Sequence, residues 1–134
     1  MTKKVWPQPV IVVRDVPASS RFYAQILEAE SAHGGEQYEQ LVSGGELILQ
    51  LHHIDVEDHH GSLASRDVPL GNGALLWFEV SDFDAAAQRA RDVGAVVERD
   101  AHINPNAKQR EIWLRDPDGY LVVLAGPSEY RPRA

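Results

Sequence analysis

Val12-Val13-Arg14-Asp15-Val16-Pro17-Ala18-Ser19-Ser20-Arg21-Phe22-Tyr23 carries a change of hydrophobic period. Up to Val13 the residues are apolar and β-branched, the chemistry of a strand. Asp15 can then accept a backbone N–H of a helix's first turn, and Pro17 is tolerated there because that turn's N–H groups have no helical partner. Phe22, Tyr23, Ile26 and Leu27 recur at helical spacing, so one face of the helix is apolar and suited to lie on a sheet. The reading is a strand over 5–13 followed by a helix ending near Glu28 or Ala29.

Beyond this stretch come a short strand to His33, a Gly34-Gly35 turn, a strand over 37–42, the turn Ser43-Gly44-Gly45, and a strong strand over 46–53. The segment 55–72 is polar and reads as a linker. The pattern then restarts. An apolar strand over 74–80 leads to the cap Ser81-Asp82, an alanine-rich helix over 83–93 and the helix stop Gly94. Strands over 96–99, 110–114 and 120–125 follow, the last two joined by Asp116-Pro117-Asp118-Gly119, a tight-turn signature. Asp15 and Asp82 lie half a chain length apart, and each follows a strand ending in valine. The expected architecture is α+β: a single domain over 1–134 built from two tandem βαβββ modules, about 5–54 and about 73–126, with a linker at about 55–72.

A chain of 134 residues can bury a core without staples. It has no cysteine, which excludes disulfides, thiolate metal sites and a cysteine nucleophile, and fits a cytoplasmic setting. Thirteen Lys and Arg against twenty Asp and Glu give a formal charge of −7. That field repels phosphate backbones, so nucleic acid is not an expected partner. The apolar runs are strand-sized, and the start has no signal-peptide core, so neither membrane insertion nor secretion is expected.

The Asp-x-x-x-Ser-x-x-Phe-Tyr pattern of the opening stretch, the closing Trp113-Leu114-Arg115-Asp116-Pro117-Asp118-Gly119-Tyr120, and the two βαβββ modules between and around them together resemble the vicinal oxygen chelate superfamily of glyoxalases, bleomycin resistance proteins and extradiol dioxygenases. The resemblance covers nearly the whole chain. It implies a curved mixed sheet around a cleft, a homodimer, and a small organic ligand on the concave face.

Metal-dependent members resembling glyoxalase I draw four ligands from the first and fourth strands of each module. By the resemblance these positions fall on Gln8, Gln50, Leu75 and Val123. Two amides and two hydrocarbons supply no negative or imidazole donor to offset the dehydration of a divalent ion. A slip of two residues would bring His52 in for Gln50 and still leave the second module without a donor. No metal and no cofactor are therefore expected.

Strand alternation extends the cleft set to Val10, Val12, Ile48, His52, Trp77, Glu79 and Leu121. The opposite set, Ile11, Val13, Leu47, Leu49, Leu51, Leu76, Phe78 and Val80, is uniformly apolar, as a helix-covered face requires. The superfamily geometry adds Glu111 and Trp113. Gln8, Gln50, His52, Leu75, Trp77, Glu79, Glu111, Trp113 and Val123 are thus the candidate ligand-binding residues, suited to a cationic or aromatic molecule. The plainer alternative makes Trp77 and Trp113 packing or interface residues, and pairs Glu79 and Glu111 with Arg110, Arg115 or Lys108 at a solvated rim.

The stretch from His52 to His60 is rich in histidine and acid. His52 and His53 are adjacent on a strand and point oppositely, and His59 and His60 read as solvated loop residues, so adventitious rather than functional metal binding is the expectation. No nucleophile elbow, phosphate loop or dinucleotide fingerprint occurs. Three functions remain: a metal-free binding protein resembling the drug-sequestering bleomycin resistance proteins; a glyoxalase-like lyase or isomerase of a small oxygenated substrate with an atypical or absent metal site, using Glu79, Glu111 or His52 in acid–base roles; and a partner-binding module that keeps only the scaffold.

Overall fold

A computed structural model describes residues 3–56, 61–106 and 108–129. The first module contains β1 (Val10–Val13), α1 (Val16–Leu27), β2 (Glu30–Ser31), β3 (Tyr38–Ser43) and β4 (Glu46–His53). The second contains β5 (Leu75–Glu79), α2 (Phe83–Asp92), β6 (Val96–Asn104), β7 (Gln109–Arg115) and β8 (Leu121–Ala125). Both are βαβββ, and together they form the α+β architecture with mixed sheets. Each module makes its own four-stranded sheet, ordered β1-β4-β3-β2 and β5-β8-β7-β6. In each, the first strand runs parallel to the fourth and the remaining pairs are antiparallel.

Two strand boundaries differ from the sequence reading for identifiable reasons. β1 begins at Val10 rather than near residue 5, since Pro7 and Pro9 have no N–H to donate to a ladder. α1 begins as read, with the Asp15 carboxylate accepting from Ala18 N at 3.0 Å and Pro17 in its first turn. β6 continues past Arg99 to Asn104, with two irregularities in its pairing to β7. Such bulges hide the period-2 signal from which a strand is read.

Burial supports the predicted faces of these strands except at Val12 and Ile48, which were expected on the cleft side and instead join or pack against the core. Ile11, Val13, Leu49 and Leu51 are buried, and Leu47, Leu76, Phe78 and Val80 are half-buried. All of these except Leu47 pack with Val16, Tyr23 and Ile26 of α1, and with Phe83, Ala86, Ala87 and Ala90 of α2, in one core shared by both modules. Each fully buried aliphatic or aromatic side chain contributes roughly 1.5–3 kcal/mol relative to exposure.

The Asp116-Pro117-Asp118-Gly119 turn does more than reverse the chain. Asp116 Oδ1 accepts from Asp118 N and Tyr120 N, both at 2.8 Å, which builds the turn. Asp116 Oδ2 accepts from the Tyr23 hydroxyl of α1, and Asp118 accepts from Arg14 N at 3.1 Å and Ser19 Oγ at 3.4 Å. Tyr120 Oη donates to Val12 O at 2.8 Å. The turn of the second module is thereby fastened to β1 and α1 of the first. The connecting segment is also anchored: Leu70 is buried, and Gly71, at φ +85°, lies directly against Tyr120. No helix among the described residues is long and apolar enough to cross a membrane.

Candidate functional site

On the first module, β3 and β4 are paired so that Gln40 lies opposite Gln50 and Tyr38 opposite His52. Alternation puts all four on the face away from α1. Their polar groups form a directed chain: Gln40 Nε2 donates to Tyr38 Oη at 3.1 Å, Tyr38 Oη donates to Gln50 Oε1, and Gln50 Nε2 donates to the Gln8 carbonyl at 2.9 Å. His33 and His52 present ring edges to Tyr38 at centroid distances of 5.1 and 6.5 Å. Every member of the chain is uncharged.

The second module carries the acid and the indoles. Glu111 is 1% exposed. Its Oε1 accepts from Trp113 Nε1 and its Oε2 from Asn104 Nδ2, each at 3.0 Å, and His102 Nε2 stands 3.6 Å from Oε1. His102 Nδ1 lies 2.8 Å from the Asp100 carbonyl. A carbonyl only accepts, so Nδ1 carries the proton, and Nε2 is a buried atom without a hydrogen-bond partner. Glu111 therefore sits beneath the surface with its oxygens filled, and its direct role is to fix the Trp113 ring. Arg110 pairs with Asp84 at 2.6 Å and Arg115 with Glu98 at 3.4 Å, so neither is the partner that the rim alternative gave Glu111.

Between the modules opens a crevice of about 1470 Å³. Trp6, Gln8 and Ile48 line it from the first module, and Leu75, Trp77 and Glu79 from the second. Trp77 is 42% exposed and Leu75 47%. The nine predicted ligand-binding residues are thus distributed over three places. Gln8, Leu75, Trp77 and Glu79 meet in the crevice, Gln50 and His52 lie on the first-module face, and Glu111, Trp113 and Val123 lie on the second, with Trp113 paired opposite Val123. Glu79 is already engaged within the chain.

Sequence reasoning missed Tyr38, Gln40, His102 and Asn104. Tyr38 and Gln40 were accessible by carrying the β4 alternation across the hairpin onto β3. His102 and Asn104 lay beyond the point where β6 was expected to stop.

The donor set does not suit the divalent ion that the family resemblance implies. Leu75 and Val123 offer hydrocarbon, Val123 is fully buried, and both ends of the Gln50 amide are used by Tyr38 and Gln8. Among the described residues no group of three or more His, Asp or Glu side chains is arranged to hold a metal. His52 faces Tyr38, whereas His53 Nδ1 accepts from Asp55 N at 3.0 Å. The two imidazoles diverge. His59 and His60 lie outside the described residues.

Three remote groups are electrostatically distinct from these faces. Burial pushes the Tyr23 hydroxyl well above its usual pKa, and the Asp116 charge adds to this. Burial also raises Asp116, against the lowering effect of hydrogen bonds from Tyr23 and backbone amides. Glu39, on the α1 side of β3, goes the other way. Burial raises it, but hydrogen bonds from Ser31, Gly34 N, Ser20 and Gln40 N together hold it below the ordinary carboxylate value. These groups organise the scaffold rather than the crevice.

Comparison with known proteins agrees with this geometry. No curated protein sequence matches the chain. Among solved structures, a glyoxalase/bleomycin resistance protein/dioxygenase from Nocardioides superposes with a TM-score of 0.72 at 20% identity, over 100% of this chain and 90% of that one. Lactoylglutathione lyase from Agrobacterium tumefaciens gives 0.69 at 19%, covering 93% and 94%. The fosfomycin resistance protein FosX from Mesorhizobium loti gives 0.64 at 16%, covering 97% of each. At these identities the likeness establishes the fold. The family model described as Glyoxalase/Bleomycin resistance protein/Dioxygenase superfamily matches residues 7–124, and the chain belongs to that superfamily.

Proposed function

We propose that the protein is a cytoplasmic, metal-independent binder of a small organic molecule, in the manner of drug-sequestering members of its superfamily. The observation that carries this reading is the crevice, with exposed Trp77 and Leu75 on one wall and Gln8 on the other. At the positions where the superfamily places metal ligands stand Gln50, whose amide is in use, the exposed amide of Gln8, and the hydrocarbon of Leu75 and Val123. Aromatic surface beside a few oriented polar groups is what a ligand site for a flat organic molecule requires.

The working unit in this reading is a homodimer. β1 and β5 each pair with a strand on one side only, and Trp6, Val10, Leu75 and Trp77, at or near these edges, are 42–60% exposed. Open strand edges flanked by apolar side chains are covered in most native proteins, here by a second copy of the chain. A lyase or isomerase reading finds support in Glu79, a half-buried carboxylate in the crevice wall, and in the lactoylglutathione lyase among the structural neighbours.

Titration of chelator-washed protein with quinoline, followed by tryptophan emission, tests the binding reading. Saturable quenching that is lost in Trp77→Ala is expected. Quenching that stays linear in concentration contradicts it.

A further inference from the structure

We infer that the crevice selects an organic cation, a flat ring system bearing a positive centre, over neutral and anionic molecules of the same shape. This deepens the small-molecule reading above and rests on it.

The charge of the lining carries the inference. Glu28, Glu46, Glu79 and Asp82 line the crevice, and Arg89 is the one cationic side chain among the lining residues. Four carboxylates against one guanidinium leave the wall with a formal charge of −3. Contacts within the chain hold these carboxylates in place without removing their charge. Asp82 accepts from Ala85 N at 3.1 Å and so offsets the positive end of α2. Glu79 is engaged within the chain, and Glu46 lies exposed at the start of β4. Arg89 is turned toward α1, with Nη1 3.4 Å from Glu28 Oε1 and Nη2 donating to the Ile26 carbonyl at 3.2 Å. Its charge is spent on the C-terminal end of that helix, which is the helix's negative pole. An anion entering the crevice would therefore meet no uncommitted cation, and a neutral molecule would gain nothing from the field.

The walls also decide which kind of cation fits. Among the described residues no three His, Asp or Glu side chains are arranged to hold a metal, so the negative charge is spread along the wall rather than focused on a compact ion. The exposed indoles of Trp6 and Trp77 stand in the same lining. The face of an indole attracts a positive centre and also stacks on a flat ring, and the attraction strengthens as water is displaced. Diffuse negative charge beside aromatic surface matches a delocalised cation.

Quinoline, N-methylquinolinium and quinoline-2-carboxylate share one ring system and differ in charge. Each is titrated at pH 8, where quinoline is neutral, into the full-length protein while the indole N–H signals of Trp6 and Trp77 are followed by NMR. N-methylquinolinium is expected to bind about tenfold more tightly than quinoline, a difference of about 1.4 kcal/mol, and the carboxylate more weakly than either. Raising salt from about 20 mM to about 500 mM should shrink the advantage of the cation and leave quinoline little changed. Glu46→Gln and Glu28→Gln, the second of which also releases Arg89, should each reduce the cation preference. Glu36→Gln removes the same charge from an exposed position outside the crevice and should leave the preference intact. Equal or tighter binding of quinoline by the unaltered protein overturns this inference and leaves the ring-binding reading standing. A preference that falls as much in Glu36→Gln as in the crevice variants, or survives both of those, assigns it to the overall charge of −7 and overturns the inference too. Binding of none of the three overturns the ring-binding reading as well.

Discussion

The Tyr23 hydroxyl, on the first module's helix, donates to Asp116 Oδ2 in the second module's final turn at 2.5 Å. Both groups are buried, and 93 residues of sequence separate them. Removing a donor from a buried carboxylate typically costs about 1–3 kcal/mol. Tyr23→Phe is therefore expected to lower stability by that order in a denaturant titration.

The same carboxylate gives a pH signature. Burial raises the Asp116 pKa in the folded protein, so its contribution to stability is fully present below the unfolded value and is lost as pH rises through the folded one. Loss of the Tyr23 donor raises it further. Melting temperatures measured from pH 3 to 8 should show Tyr23→Phe losing more, relative to the unaltered protein, at pH 7 than at pH 3. An equal loss at both would show that Tyr23 contributes only packing.

Glu39 provides the opposite sign. Its pKa is held low in the folded state by hydrogen bonds from Ser31, Gly34 N, Ser20 and Gln40 N that outweigh burial. That contribution is present above the unfolded carboxylate pKa and disappears as pH falls through the folded value. Glu39→Gln should therefore flatten the acid limb of the stability profile, while costing stability at pH 7.

Gly71 tests the joint between linker and core. A Cβ there would meet Tyr120 Cα at 3.0 Å, and its φ of +85° disfavours any side chain. Gly71→Ala is expected to destabilise by about 1–3 kcal/mol, read as a shifted denaturation midpoint with an unchanged slope.

How far these relations were legible before the structure depends on their range. Caps at Asp15 and Asp82, the turn glycines and the two strand faces follow from local chemistry, and the structure has them where the chain's periodicity puts them. The sequence reading of Asp116-Pro117-Asp118-Gly119 as a turn was right and incomplete. Its bonds to Tyr23, Arg14 and Ser19 depend on the packing of one module on the other, which no local signal encodes. Glu111 illustrates the limit for the site. The superfamily resemblance placed it on the cleft side, but a resemblance of fold says nothing of what covers a residue. Asn104 and His102 reach it only because β6 runs five residues further than its disrupted alternation suggests.

The role assigned to Glu111 yields a direct optical test. If it positions Trp113, Glu111→Gln keeps a hydrogen-bond acceptor and should leave the Trp113 emission nearly unchanged. Glu111→Leu should shift it, with Trp113→Phe identifying the signal. Similar emission from both variants would mean that the indole is held by packing alone.

Metal independence is the claim on which the functional account turns, and metal content tests it most directly. Protein washed with chelator and then incubated with Zn, Ni, Mn or Fe is desalted and assayed for total metal, with quinoline quenching measured in parallel. The account predicts no stoichiometric retention of any ion and quenching of Trp77 unaltered by chelator. One tightly held equivalent per chain, with ligand binding that is lost on chelation, would contradict it.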